Sequence, residues 1–299
     1  MKTSAKVLCD SIIDGVRVIT FETVFPRIVL PQLGTHRSFS KSSASSRAIP
    51  NKRIMEMVVF VPDEFPENGP GMQPKGNLKG LRKFLARLTW LLASYTAKFY
   101  SFLFRLQGVH KQISNRPVEP YMYIKVLITT SEPGLFNFFE LRCHPDAQDE
   151  ITVLANCMKE AYENSVPIGR ELHLPFIKEA EYPSFLLYRK ENISKIMDLL
   201  HISVARCARV SYNRHDGKRA SLAEDMKLFN DLVVQKPIHA SPAEHSVMSQ
   251  RLFGWLLGLV EEWESYEKEL RNLLAQDRLH GNLAPGLVQY RKVLEVKAR

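Results

Sequence analysis

The residues best able to do chemistry lie together in one polar segment, T-H-R-S-F-S-K-S-S-A-S-S-R, at positions 35–47. It sets His36, Arg37 and Arg47 among serines, with almost nothing apolar. Guanidinium groups bind oxyanions bidentately, and hydroxyls and backbone N–H groups satisfy the remaining acceptor sites. That chemistry suits a phosphate or a nucleotide. Taken alone, a Ser-rich basic segment reads as a solvated loop or linker. Here an apolar run, V-F-P-R-I-V-L at 24–30, delivers it. A loop at the end of a buried strand is where ligand sites tend to lie. Its polarity predicts neither a core strand nor the buried face of a helix.

Two further polar groups repeat the same ligand logic. N-F-F-E-L-R at 137–142 leads into H-P-D-A-Q-D-E-I at 144–151. In the last third, A-R-C-A-R-V-S-Y at 205–212 precedes H-A-S-P-A-E-H at 239–245. Read singly, the first is an ordinary helix entry with a surface arginine, and the second is a pair of loop histidines.

The elements that must position these groups are partly visible. Residues 16–21 and 25–33 read as two strands, and 35–50 as a polar loop closed by Pro50. Residues 60–80 are rich in Pro, Gly and Asn and form a loop. From 81 to 106, apolar residues recur at helical spacing, with Arg82, Lys83, Arg87, Lys98 and Arg105 between them. This predicts a long amphipathic helix packed on a core or a subunit, with a membrane-surface helix as the weaker reading. Residues 121–130 are β-branched and aromatic, which predicts a strand while leaving a buried helix open. Asp146 precedes a helix with Ile151, Leu154, Ala155, Met158 and Tyr162 on its apolar face. Residues 164–200, with Pro167, Pro175 and Pro183, read as irregular. Ser221 and Glu224 form a capping box opening a helix to about residue 234. A last helix is expected over 251–279. The mixture predicts an α+β fold, a mixed or antiparallel sheet with long helices. No internal repeat or domain boundary is visible, so residues 1–299 read as one domain, with an irregular connection (164–200) between residues 1–163, which hold the polar loop, and residues 201–299.

The chain has 299 residues, 45% of them hydrophobic, enough for a sizeable core. Lys and Arg number 41 against 32 Asp and Glu, a net charge of +9 that favours anionic ligands. No block of like charge marks a nucleic-acid arm, which disfavours a nucleic-acid partner. Cys9, Cys143, Cys157 and Cys207 form no C-x-x-C pair, which disfavours a zinc ribbon or redox dithiol and fits a reducing compartment. Residues 1–14 lack a signal peptide's apolar run, and the longest charge-free stretch at 88–97 is far short of the ~20 residues needed to span a bilayer. A cytoplasmic protein with no membrane partner and no metal is expected.

Together the four segments resemble the flavin-dependent thymidylate synthases. That family carries R-H-R-x-x-S-x-N-x-x-S-x-R, then N-F-x-x-L-R…A-Q-x-E-I, and also A-R-V-S-[YF] with H-x-[ST]-P-x-E-H. The matches cover about half the chain. Their order differs from the usual one, because the two segments that normally come first stand last here. This looks like a circular permutation, tolerable where a fold's termini lie close together. It would put residues 288–291 beside the N-terminal strands. The signature's first arginine is Thr35 here, its asparagine is Ser42, and the acidic residue that often follows is Ser43.

The resemblance implies methylation of dUMP at C5, with methylenetetrahydrofolate and NADPH as co-substrates and FAD as cofactor. It makes Arg142 the catalytic, base-polarising group. Gln32, Ser45, Ser46, Arg47 and Arg116 would bind substrate, Arg116 being chosen over Asn115 on its chemistry. His36, Arg37, Ser38, Asn137, Ser211, His239 and Ser241 would cradle the flavin. It also implies a homo-oligomer, a tetramer, with sites between subunits. Two alternatives stand beside it. One is a related pyrimidine deoxynucleotide methylase or hydroxymethylase acting on dUMP or dCMP. The other is a non-catalytic, nucleic-acid-binding homologue, supported by the charge and the lost signature residues.

Overall fold

A computed structural model describes residues 2–71, 74–182, 188–211 and 220–298. It opens with a hairpin of β1 (Ser4–Ile13) and β2 (Val16–Pro26). The turn is Asp14-Gly15, with φ of 48° and 81°, the left-handed pair that a two-residue hairpin needs. β2 runs through the whole of the first segment read as a strand, 16–21, but takes in only the first two residues of the second, 25–33, and stops at Pro26. A 3-10 turn (Arg27–Val29) follows, and Pro31 then opens the short helix α1 (Leu30–Gly34). A helix, not a strand, delivers the polar segment.

The polar segment is itself part of the sheet. Residues Ser40–Ser43 form the edge strand β3, paired with β4 (Tyr123–Ser131). This corrects the expectation of a plain loop. Backbone pairing requires no apolar side chains, and the buried Ser40 finds Asn282 at 2.9 Å and Gln289 at 2.9 Å. Helices α2 (Asn51–Glu56), α3 (Gly80–Leu106) and α4 (Lys111–Ser114) lie between β3 and β4. Then come α5 (Glu132–Arg142) and α6 (Asp149–Glu163), packed on the sheet through Leu135, Phe138, Ile151, Leu154 and Met158. Asn137 to Arg142 thus close a helix rather than open one. With β5 (Ile168–Gly169) parallel to β1, the sheet order is β3-β4-β2-β1-β5.

A second core covers the C-terminal part. It is built on α7 (Ile193–Ala208), whose start lies inside the stretch expected to be irregular. α8 (Leu222–Phe229) continues as a π-helical turn (Asn230–Val234). The Ser221 hydroxyl accepts from Glu224 N–H, and Glu224 accepts from Ser221 N–H. Ser221→Ala is therefore expected to lower stability by about 1 kcal/mol, read as a shifted urea midpoint. The helix expected over 251–279 is broken. α9 (Gln250–Leu256) ends before Gly258, whose φ of +78° no helix accommodates, and α10 (Glu267–Ala275) follows a 3-10 turn.

A three-stranded antiparallel sheet holds β6 (Leu172–His173), β7 (Val247–Ser249) and β8 (Leu287–Gln289), and α11 (Tyr290–Lys297) follows. The C-terminal strand thus pairs with β7, not with the N-terminal hairpin. It meets that hairpin by packing, through Leu287 and Val247 against Ile13 and Val18. Among the described residues, no helix is long and apolar enough to cross a membrane.

Candidate functional site

The edge strand β3 and its C-terminal extension form one wall of a cleft of about 740 Å³. Ser42, Ser43, Ser45 and Arg47 line this wall. Ser211, at the end of α7, and His239 and Ser241, from the segment before β7, line the opposite side. The join is specific: Ser211 Oγ donates to the carbonyl of Ser43 at 2.7 Å, across 168 positions of chain. Arg27, Lys41 and Arg291 add cationic side chains to the same cleft, a contribution the motifs did not signal. Tyr212, which closes A-R-V-S-Y, lies outside the described residues.

A chain of amides holds the Ser45–Arg47 corner. Asn115 is fully buried and donates to the Ser46 carbonyl at 2.8 Å and the Ile49 carbonyl at 3.1 Å. Its own oxygen accepts from Asn51 at 2.8 Å, and Asn51 also donates to Ser101 of α3 at 3.0 Å. Glu119 collects the buried Ser46 hydroxyl, Arg27 at 3.2 Å and Arg116 at 3.1 Å. Arg116 is thus drawn to Glu119 and does not line the cleft, while Asn115 supports the loop from behind. The Asn115 arrangement was not visible in the sequence, because it depends on residues tens of positions away, whereas Glu119 stands only three residues after Arg116.

Arg142 belongs to a second set. Its Nε donates to His36 Nε2 at 2.9 Å, and its Nη2 donates to Thr35 Oγ1 at 3.4 Å. His36 is buried edge-on against Phe138, with ring centroids 4.9 Å apart. Burial first, then the Arg142 and Lys41 cations, pull its pKa down to about 4. The ring is therefore neutral near pH 7, and its acceptor nitrogen fixes the guanidinium. Thr35 stands where the family pattern has an arginine, and it accepts from Arg142 where a cation would repel it. Lys41 donates to the His36 carbonyl at 2.8 Å and the Leu33 carbonyl at 3.3 Å, and burial lowers its pKa.

The other candidates lie around these two sets. Gln32 donates to Gln148, which carries the A-Q-x-E-I glutamine, while its own Oε1 is buried without a partner among the described residues. Arg37 lines an adjoining depression with Lys41, Glu244 and Arg291. Ser38 lies against α5, its carbonyl accepting from Thr130 at 3.1 Å. Asn137 is exposed on α5. A Cβ on Gly134 would come 2.6 Å from Ser38 Oγ and 2.7 Å from Thr130 Oγ1. Gly134→Ala is therefore expected to destabilise by about 1–3 kcal/mol, outweighing the ~1 kcal/mol helix gain, as read by thermal unfolding.

A family model described as thymidylate synthase complementing protein matches residues 13–168. That stretch holds the polar segment and N-F-F-E-L-R, but neither of the later motifs. A crystal structure of a UMP/dUMP methylase, PolB, from Streptomyces cacaoi, bound with 5-Br dUMP, is similar at 20% identity and a TM-score of 0.42. The likeness covers 49% of this chain and 65% of that one, so this chain spans a little under two thirds of that structure's length. No curated protein matches.

Proposed function

Taking as premise that the chain belongs to the thymidylate synthase complementing protein family, whose model matches 13–168, we propose that it transfers a one-carbon group to C5 of a dUMP-like nucleotide. The finer reading is flavin-dependent thymidylate synthesis, with methylenetetrahydrofolate as carbon donor and NADPH as reductant. Members of this family are generally flavin-dependent, which supports FAD. The observation that carries the reading is the cleft itself. It gathers Ser45 and Arg47 with Ser211, His239 and Ser241 from the far end of the chain.

The donor set fits phosphate-bearing ligands. Arg47 is exposed on the cleft with no hydrogen bond to a described residue, and Ser42 Oγ is buried without a partner among the described residues. Arg47 and Ser45 would take the nucleotide phosphate. His36, Arg37, Ser38, Asn137, Ser211, His239 and Ser241 would hold FAD, which supplies a hydride when bound. Arg142 would polarise the uracil carbonyl. Stabilising negative charge on the ring oxygen and nitrogen makes C5 nucleophilic, and one preorganised donor contributes ~2.7–4 kcal/mol. His36 and Thr35 occupy Nε and Nη2 of that guanidinium, so Nη1 remains to meet the base.

The experiment is anaerobic turnover with FAD, NADPH, methylenetetrahydrofolate and dUMP, the nucleotide product being weighed by mass spectrometry. A gain of one methyl group supports thymidylate synthesis. A hydroxymethyl product, or turnover of dCMP instead, assigns the related reaction, with Thr35, Ser42 and Ser43 as the positions that differ. A colourless protein inert with every nucleotide overturns the reading.

A further inference from the structure

α3 is built inside out. Its buried and half-buried side turns Ser94, Ser101, Trp90 and Lys98 toward the protein. Trp90 donates to the Phe60 carbonyl at 2.7 Å, and Lys98 donates to the Met55 and Met57 carbonyls at 2.8 and 3.1 Å. The outward side is apolar at positions 81, 85, 88, 92, 95, 99, 102 and 106. The steps alternate four and three without a break, which is a heptad seam of period 3.5. All eight side chains are exposed, from 40% at Phe102 to 71% at Leu81. They present roughly 900 Å² of apolar surface, against ~800 Å² per partner in a standard interface and the ~300–600 Å² of a monomer's largest patch.

We propose that this seam is where a second copy of the chain docks, α3 against α3 in antiparallel register about a two-fold axis between Ala93 and Ser94. The sequence of the seam selects that pairing. Its first half is leucine throughout, and its second half is mostly aromatic. Antiparallel, Leu85 faces the partner's Phe102, Leu88 the partner's Phe99 and Leu92 the partner's Tyr95, while Leu81 meets the partner's Leu106. Each of the three inner layers then holds one leucine and one ring, the large-against-small filling that a packed core needs. Parallel pairing would set ring on ring in three layers and leucine on leucine in the others, so that one end of the seam would be held wider than the other.

Charge agrees with self-pairing. α3 carries no acidic residue, so cations facing one another would repel. In the antiparallel register Arg82 flanks the partner's Leu103, Lys98 the partner's Leu91 and Arg105 the partner's Phe84. No cation faces a cation. An anionic bilayer is the less suitable occupant. Arg82 and Lys83 already pair with Glu67 and Glu64, and Lys98 is spent on backbone carbonyls. The pairing does not depend on the proposed activity.

Sedimentation velocity on the full chain at micromolar concentration tests it. The wild-type chain is expected as a dimer or a larger even-numbered assembly. Leu88→Glu should weaken the α3 contact by roughly 100-fold or more, halving the assembly. Circular dichroism should stay unchanged, because residue 88 is exposed. Adding Phe99→Lys should restore the assembly, since the antiparallel register sets Glu against Lys in two layers. A parallel register would set Glu on Glu and Lys on Lys. A monomeric wild-type chain, an unchanged L88E assembly, or L88E/F99K as weak as L88E would each overturn the proposal. So would a monomer that floats with phosphatidylglycerol vesicles.

Discussion

Arg142→Ala is expected to keep the protein folded and flavin-coloured while kcat falls by about 10²–10³. The fold should survive because the side chain is half-buried at the last turn of α5, and its bonds are to His36 and Thr35 rather than to the core. Flavin should survive because, of the residues proposed to cradle it, only His36 is bonded to Arg142, and that ring stays packed on Phe138. Arg142→Lys should rescue little. A lysine ammonium cannot donate to His36 Nε2 and still present a planar fork to a base carbonyl. A His36→Gln variant tests the anchor. If the neutral ring only orients Arg142, kcat should fall by less than in Arg142→Ala, with the nucleotide's affinity little changed. Steady-state kinetics and a flavin absorbance spectrum on the same preparations decide it. Full turnover in Arg142→Ala would remove the residue from the chemistry.

Whether such roles can be read from sequence depends on how local they are. The capping box at Ser221 and Glu224 was legible because both bonds lie within four residues. The strand at 123–131 was legible from its β-branched run, and α3 from its spacing. The face that α3 buries was not legible. Periodicity says that a stripe exists, while the choice of inward side was made by Phe60, Asn51 and the carbonyls at the C-terminal end of α2. β3 was missed because serines carry no strand signature. Its partner strand supplies the backbone bonds, and Asn282 and Gln289 satisfy Ser40 from more than 240 positions away. Asp14-Gly15 and Gly258 were signals available in the sequence, and reading them would have revealed β1 as the hairpin partner of β2 and split the last helix. The motifs located both sets of candidate residues. They could not tell that Ser211 and His239 share a cleft with Arg47, whereas Arg142 is held by His36.

Acid is expected to unfold this protein well above the pH at which its carboxylates are neutralised. Four buried histidines hold depressed pKa values, in each case chiefly through burial. His36 and His201 sit at about 4, with the Arg142 and Lys297 cations adding to burial. His173 and His245 sit at about 3, with Arg170 and His173 respectively adding to it. One ring is bound in a way that suits only the neutral form, since His36 accepts from Arg142. His173 bridges the Ser11 and Thr20 hydroxyls at 2.9 and 2.7 Å and His201 stacks on Phe229 at 3.9 Å, so for these two it is burial that disfavours the charge. His245 bonds Thr129 at 2.8 Å and leaves its other nitrogen buried without a described partner, so a second proton there would be a buried, unpaired charge. The unfolded chain takes up these protons near pH 6.5 and the folded chain does not, so stability is complete above 6.5 and is lost as pH falls toward 4 and then 3. At pH 4.5 each histidine contributes a loss of about 2–3 kcal/mol. Four of them approach the ~5–15 kcal/mol by which domains are stable at all. Urea midpoints at pH 7.5, 6.0 and 5.0 should fall progressively, with a proton uptake on unfolding that rises toward four. A flat midpoint across that range would mean that the rings titrate normally and that the fold admits water to them. The Arg142 anchor should fail on the same curve, because a protonated His36 offers the guanidinium a charge of its own sign, so turnover should decline with acid before or together with the fold and never after it.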